Sequence, residues 1–376
     1  MVCYFLFWLL KPYYVFKSGS VQPGDAFLAV AVFLLLCYDR FVIHLRKQDK
    51  FLYLFFLCIF LVNFGYFVAY AETSFLKCLL YYVFNLLAVY MFRSLCTMPR
   101  FYTYFSAILK FNLFAQLILL LTGVGSWYTA GRYMGTYNDP NQLAFGIMST
   151  YCLLFCISRL MPVKRRWLYF AMAAYLIYQS SSTGMLVAIA ILFVCEQYFR
   201  LVSIKGNFNR ACYIVYLLLI TIVFLLLGIE LVRILASGET EVPFLRRFAG
   251  KLDKGDSFIE SFIKDRNLTA VVNKPVYFLF GSGETKMSRF ASSKGELHST
   301  WIGLLFYYGI IPFCVLIAWI RSNMRNIDWY VIPVYLCLFA EALTLVNHRQ
   351  PSFWTLIALA AVINRKTTAS VLPTSN

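Results

Sequence analysis

Apolar blocks separated by short polar segments make up most of this chain. Each block holds roughly 15–22 residues, the length that lets an α-helix cross the hydrocarbon core of a bilayer. We therefore expect an all-α polytopic membrane protein with about 12 transmembrane helices. The predicted helices cover residues 1–16, 24–38, 51–70, 75–92, 103–122, 141–159, 167–180, 184–199, 211–231, 298–319, 329–346 and 352–364.

One long polar segment, residues 232–297, separates the ninth and tenth predicted helices. Within it, apolar residues such as Phe258, Ile259 and Phe262 recur at the spacing of one helix face, which predicts a short amphipathic helix over 255–266 on the membrane surface. About 65 residues is short for an independent core, so we expect the segment to pack on the bundle. The chain then divides into N-terminal transmembrane helices (1–122), a transmembrane region that includes the long segment (123–364) and a tail (365–376).

The composition excludes several classes of protein. Hydrophobic residues make up 61% of the chain and charged residues 14%, against about 45–50% and about 25% in soluble domains. This excess excludes a soluble enzyme, a disordered protein and a disulfide scaffold. The eleven cysteines lie in or beside apolar blocks without a Cys-x-x-Cys pair, so we expect free thiols. The three histidines are scattered and no metal or nucleotide motif occurs, so we expect no metal and no cofactor.

The cations are distributed unequally between alternate loops. The chain has 34 Lys and Arg against 17 Asp and Glu, and 17 of the cations fall in the loops and tail of one side against 5 in the short loops of the other. By the positive-inside rule, both termini are cytoplasmic and the long segment faces outward. No basic patch with interleaved aromatic residues occurs, so we expect no nucleic-acid partner.

A first polar cluster precedes the sixth predicted helix, on the outer side. Asn138 or Asp139 can cap this helix, and Pro140 suits its first turn. A helix N-terminus carries partial positive charge and favours an anion, and Arg132 is the one cation in that loop. The alternative is an ordinary capped turn with an arginine that reaches the membrane surface.

A second polar cluster closes the long segment. Gly281 and Gly283 permit backbone conformations that allow close approach to a ligand. His298 opens the tenth predicted helix and can act as a base or as a hydrogen-bond donor. The alternative is a structural histidine beside an ordinary glycine turn.

Further polar residues lie in the other outer turns. Ser180-Ser181-Ser182-Thr183-Gly184 precedes the eighth predicted helix, and Asn347-His348-Arg349 separates the last two. Within the membrane, Glu341 and Lys110 would be costly unless they face the bundle interior or reach its surface. Each is either a residue of an ion pathway or a structural partner of a polar neighbour.

The order of these motifs resembles the O-antigen polymerase and O-antigen ligase superfamily of bacterial inner-membrane glycosyltransferases. The resemblance covers roughly residues 123–320, and its most specific parts are Arg132 with Asp139-Pro140-Asn141, and His298 after the long segment. Many relatives have Ser-Arg-Gly where this chain has Ser182-Thr183-Gly184. The resemblance implies a GT-C-like membrane fold.

The resemblance also implies an activity and a set of residue roles. The family transfers an oligosaccharide from a polyprenyl-pyrophosphate carrier at the outer face of the inner membrane. Carried over by position, Arg132 and Arg266 would bind the pyrophosphate, and His298 would be the base or would position the acceptor hydroxyl. Further candidates for substrate binding are Arg246, Arg247, Asp139, Asn141, Gly281, Gly283, His348 and Arg349. Expected partners are the lipid-linked oligosaccharide, the bilayer, a chain-length regulator and a flippase.

Three functions remain open at this point. The first is a polymerase of repeat units for O-antigen, capsule or a related surface polysaccharide. The second is a ligase that transfers the polymer to the lipid A-core. The third is a polysaccharide flippase or another transporter, although such proteins typically show internal repeats and paired broken helices, which the sequence lacks.

Overall fold

The computed structural model describes most of the chain. The described residues are 1–16, 22–43, 46–128, 131–237, 260, 263, 266–285, 289–290 and 297–371, with the backbone alone at 223–237, 270 and 365–371. The predicted amphipathic helix over 255–266 lies largely outside this set, as do Arg246 and Arg247.

Helices form nearly all of the described structure. Five of the described helices are long and apolar enough to cross a membrane, namely α3 with the turn before it, α4, α5, α6 and α8. The chain is therefore a membrane-embedded, all-α protein. The helices are α1 (Val2–Leu10), α2 (Pro23–Tyr38), α3 (Lys50–Tyr70), α4 (Ser74–Leu95), α5 (Phe101–Leu121), α6 (Pro140–Ile157), α7 (Arg166–Ser180), α8 (Thr183–Ser203), α9 (Asn207–Ser237), α10 (Thr269–Val272), α11 (Val276–Phe280), α12 (Thr300–Tyr308), α13 (Ile310–Met324), α14 (Ile332–Glu341) and α15 (Pro351–Val371). Single 3-10 turns at Lys47–Asp49 and Trp329–Val331 lead into α3 and α14.

The outside of the bundle is apolar. Along α3, for example, Leu57, Leu61 and Phe64 are all exposed. Exposed leucine and phenylalanine in rows along long helices are expected where the surrounding medium is lipid, since no water has to be excluded there. The buried centre contains α6 and α15, which pack against each other.

Several predicted helices differ from the observed ones. The first ends at Leu10 because Pro12 follows, and nine residues are too short to cross a bilayer. The helix predicted over 298–319 is two helices, α12 and α13, that meet at Gly309. The helix predicted over 329–346 ends at Glu341.

A two-stranded hairpin before α6 was not predicted. Strand β1 (Ser126–Tyr128) pairs antiparallel with β2 (Arg132–Gly135). On β2, Tyr133 is fully buried between the partly buried Arg132 and Met134. The buried ring of Tyr133 anchors the strand to the bundle. The position of Arg132, the preceding residue, is fixed as a result.

The two ends of the bundle carry different polar contacts. At one end, Arg93 of α4 makes a buried, two-pronged ion pair with Asp49, and the two N···O distances are 3.0 Å. Trp319 donates to the same carboxylate at 3.0 Å. At the other end, Lys11 pairs with Asp25 at 2.8 Å. We call the latter the site end, because the N-termini of α6, α8, α12 and α15 lie there.

Candidate functional site

Arg132 connects three elements at the site end. Its Nε donates to the carbonyl oxygen of Ser180 at 2.9 Å, and its Nη2 donates to Oδ1 of Asn141 at 3.0 Å. Asn141 lies in the first turn of α6, which Asp139 caps by accepting from the backbone N–H of Asn141 at 2.7 Å and of Gln142 at 3.3 Å. The predicted cap at Asp139 is therefore confirmed. The Asp139 carboxylate offsets the formal charge of Arg132 here, so the positive excess at this end of α6 is that of the helix dipole.

The segment Ser180–Ser182, which we call the serine turn, joins α7 to α8. Ser181 adopts a left-handed conformation with φ of 53°, and all three serines are buried. The hydroxyl of Ser180 donates to the carbonyl of Ile177 at 2.6 Å. The turn is therefore rigid and presents the Ser180 carbonyl to Arg132.

Gly184, two residues after the serine turn, contacts Glu341 at the end of α14. A methyl group on Gly184 would lie 2.9 Å from Oε1 and 3.0 Å from Oε2 of that carboxylate. Thr344 donates to Oε2 at 3.2 Å. Oε1 is buried and has no hydrogen-bond partner among the described residues. Glu341 is 5% exposed and lies within range of the positive charge of Arg266.

His298 lies next to Arg266 through the backbone. Its N–H donates to the carbonyl of Arg266 at 3.3 Å, and its side chain is exposed. The helix begins two residues later than predicted, because Ser299 caps α12 by accepting from the N–H of Ile302 at 3.3 Å. His298 thus precedes the cap on a short extended segment.

The candidate residues from distant parts of the chain come together in two linked sets. In the first set, Arg132 binds Ser180. In the second set, Glu341 contacts Gly184. Because four residues span at most about 14 Å, the first set and the Glu341 set lie close to each other. We call these linked sets the arginine site; its members are Arg132, Asp139, Asn141, the serine turn, Gly184, Glu341, Arg266 and His298.

The other predicted residues belong to a separate buried network around Glu284. Arg349 makes two bonds to Oε1 of Glu284, at 3.1 Å from Nε and 2.8 Å from Nη2. Tyr82 and Tyr308 donate to Oε2 at 2.5 Å and 2.9 Å. Nε2 of His348 lies 3.5 Å from Oε1, and the Tyr82 ring stacks on the imidazole.

The charge of Glu284 follows from these contacts. Burial alone would raise the pKa of this carboxyl, but the positive charge of Arg349 and the neighbouring His348 hold the pKa well below its ordinary value. Glu284 is fully buried and Arg349 is about three-quarters buried. The guanidinium of Arg349 is therefore engaged in holding the segment after α11 against α15 and α4. Sequence reasoning missed Glu284, since nothing local marks an acid whose partner lies 65 residues away.

The two predicted glycines have packing roles. At Gly281, where φ is 81°, an added Cβ would lie 2.7 Å from the carbonyl carbon of Tyr308. At Gly283 it would lie 2.8 Å from the ring of Phe75. The space that the missing side chains leave is filled by protein. The backbone of α12 approaches Gly281, and the rings of Phe75 and Tyr66 approach Gly283, where a ligand was expected.

Neither the known family models nor the curated proteins contain a match to this chain. The superfamily named above therefore stays a resemblance.

Proposed function

We propose that this chain is a glycosyltransferase that polymerises oligosaccharide repeat units from a polyprenyl-pyrophosphate carrier, for O-antigen, capsule or a related surface polysaccharide. The proposal includes a GT-C-like arrangement of about twelve spans in a bacterial inner membrane, with cytoplasmic termini and the arginine site outside. The observation that carries it is the chain of contacts from Arg132 through the serine turn to Glu341, together with Arg266, whose charge acts on Glu341 and whose carbonyl accepts from the N–H of His298.

The chemistry requires charge stabilisation more than a reactive protein group. The acceptor hydroxyl attacks the anomeric carbon, the bond from that carbon to the phosphate oxygen breaks, and polyprenyl pyrophosphate leaves. A single displacement of this kind inverts the anomeric centre. Arg132 and Arg266, with the N-terminus of α6, would stabilise the negative charge on the leaving pyrophosphate. Neither ATP nor a sugar nucleotide is required.

His298 would accept the proton of the attacking hydroxyl or position that hydroxyl. Its side chain is exposed while its backbone is tied to Arg266, so a base would stand beside a pyrophosphate ligand. A positioned general base contributes about 10²–10⁴-fold. The negative charge of Glu341 would attract the Arg266 guanidinium from the buried side.

A ligase that transfers the finished polymer to the lipid A-core is the second candidate, because it uses the same donor and the same leaving group. A flippase is the third candidate. The buried carboxylates with described ion-pair partners, Asp25, Asp49, Glu196 and Glu284, are each bound by a lysine or an arginine. Such neutralised pairs are structural in character, which favours chemistry at one end over a charged path through the bundle.

Surface glycans of a deletion strain distinguish the three functions. Loss of a polymerase leaves lipid A-core with a single repeat unit, whereas loss of a ligase leaves bare core with polymer on the carrier. Loss of a flippase leaves the single unit unexported. Core bearing one unit is the result that we predict; either of the other two patterns would contradict the polymerase.

A further inference from the structure

A cationic cleft lies at the end of the bundle opposite the arginine site. It has a volume of about 450 Å³ and is formed where α6 ends, α7 begins and α8 ends. The cations that line it are Arg159, Lys164, Arg165, Arg166 and Arg200. Five cations around one cavity repel one another and favour the binding of an anion.

Carboxylates neutralise only part of this charge. Arg159 pairs with Asp328 at 2.8 Å. Arg166 and Arg200 share Glu196, at 2.8 Å and 3.0 Å. Two carboxylates therefore face five cations in the described structure, and three positive charges remain in excess.

The excess charge lies where an anion could reach it. Lys164 and Arg165 are exposed and form no ion pair with a described carboxylate. Arg166 binds Ser158 and Glu196 through its two terminal guanidinium nitrogens and its Nε is buried, so the accessible charge is that of Lys164 and Arg165. Donors of this kind match phosphate oxygens.

Exposed apolar side chains border the cleft. Trp167, which lines the cleft, is 61% exposed, and the adjacent Leu168 is exposed as well. Tryptophan concentrates where lipid headgroups meet the acyl chains. A ligand in this cleft would thus have phosphate beside the cations and apolar chains along α7.

We propose that this cleft binds the phosphate-bearing headgroup of an anionic phospholipid from the surrounding leaflet. The basis is charge complementarity together with the apolar rim, since a basic pocket between transmembrane helices suits such headgroups. The proposal does not depend on the proposed transferase function, because none of the cleft residues belongs to the arginine site.

Native mass spectrometry of the purified full chain tests this site. The probes are phosphatidylglycerol and phosphatidylcholine, added to the delipidated protein. We expect phosphatidylglycerol to bind at least about tenfold more tightly than phosphatidylcholine, and the double variant Lys164→Gln with Arg165→Gln to lose about tenfold or more of that affinity. The matched control, Lys205→Gln with Arg210→Gln, removes two cations of the same end outside the cleft and should bind as the wild type does.

Three results would overturn the proposal. The first is equal affinity for the two lipids, and the second is an equal loss in the cleft variant and the control variant. The third is displacement of phosphatidylglycerol by inorganic phosphate but not by chloride at equal ionic strength, which would identify a site for free phosphate. Both variants should unfold at the same temperature as the wild type, which establishes that neither has lost its fold.

Discussion

Arg132 is the residue on which the arginine site depends most. Its guanidinium holds the serine turn through one nitrogen and the first turn of α6 through another. The planar fork of arginine reaches two acceptors through separate nitrogens, whereas the three donors of lysine diverge from a single nitrogen and cannot reach both acceptors in the same geometry. Position 132 therefore combines a structural and a charge requirement.

Substitutions at Arg132 should separate these two requirements. We expect Arg132→Ala to lower polymer formation about a hundredfold or more, because a preorganised donor to the leaving group is lost. Arg132→Lys keeps the charge and should cost about tenfold, through the lost second hydrogen bond. The measurement is surface polymer per unit of membrane-inserted protein. Lys77→Ala, an exposed cation of the same end, is the control, and wild-type polymer in both Arg132 variants would remove this residue from the site.

Single residues differ in how far their roles could be predicted. The cap at Asp139 was predictable, because Asp-Pro-Asn before an apolar run favours a helix start whatever surrounds it. The burial of Gly281 and the engagement of Arg349 by Glu284 were not, since both depend on partners far along the chain. A helix cap depends on neighbouring residues and can be predicted from them. A contact between residues far apart in the chain leaves no pattern in the sequence around either residue.

At the level of elements, Gly309 explains the main departure from the predicted helices. Its φ of 84° and ψ of 176° belong to a region that only glycine occupies readily. The C-terminal end of α11 packs at this point, where Leu279 and the following Gly281 approach Gly309. Periodicity predicts one continuous helix here, because a backbone contact of this kind has no hydrophobic signature.

A methyl group at position 309 should be tolerated poorly. It would lie 2.5 Å from the carbonyl oxygen of Leu279 and 2.9 Å from the backbone nitrogen of Gly281, neither of which can rotate away. We expect Gly309→Ala to lower the free energy of unfolding by about 1–3 kcal/mol through the clash and a similar amount through strain. Thermal unfolding in detergent measures the effect.

Gly303→Ala provides the matched control for this substitution. Gly303 lies inside α12, and its nearest neighbour would be a ring carbon of Tyr307 at an ordinary 3.6 Å. Alanine is also the better helix former by about 1 kcal/mol. Equal unfolding temperatures for the two variants would show that the close approach of the backbones at Gly281 and Gly309 does not exclude a methyl group at position 309.

Most helices were predictable for a reason that holds for the whole molecule. In lipid, every backbone polar group has to be satisfied within its own segment, so an apolar block of sufficient length becomes a helix. The hairpin at 126–135 was not predicted because its strands hold only three and four residues, which are too few to show an alternating pattern. That hairpin positions Arg132, so the site was less predictable than the helices around it.

The whole molecule also divides its cations between its two ends. Contacts such as Arg93 with Asp49 and Arg159 with Asp328 gather the cation-rich loops at one end, while Arg132 and Arg349 lie at the other. The loops that alternate in the sequence thus alternate in space. The positive-inside rule then predicts which end is cytoplasmic.

Cysteine labelling tests this sidedness. Thr73→Cys introduces an exposed thiol at the site end, and Lys205→Cys introduces one at the opposite end. Both are made in a background where the exposed Cys37, Cys212 and Cys314 are replaced by serine. In intact cells, an impermeant thiol reagent should modify only position 73, with position 205 modified after permeabilisation. The reverse pattern would place the arginine site in the cytoplasm.

The most direct test of the proposed function is transfer by the purified protein itself. The full chain, reconstituted in liposomes with a polyprenyl-pyrophosphate-linked repeat unit and no nucleotide, should release polyprenyl pyrophosphate and form products of two or more units. His298→Ala and Arg266→Ala should each abolish both, while Lys77→Ala should not. No release of polyprenyl pyrophosphate by the wild-type protein, or equal product from the His298 and Arg266 variants, would contradict a glycosyltransferase at this site.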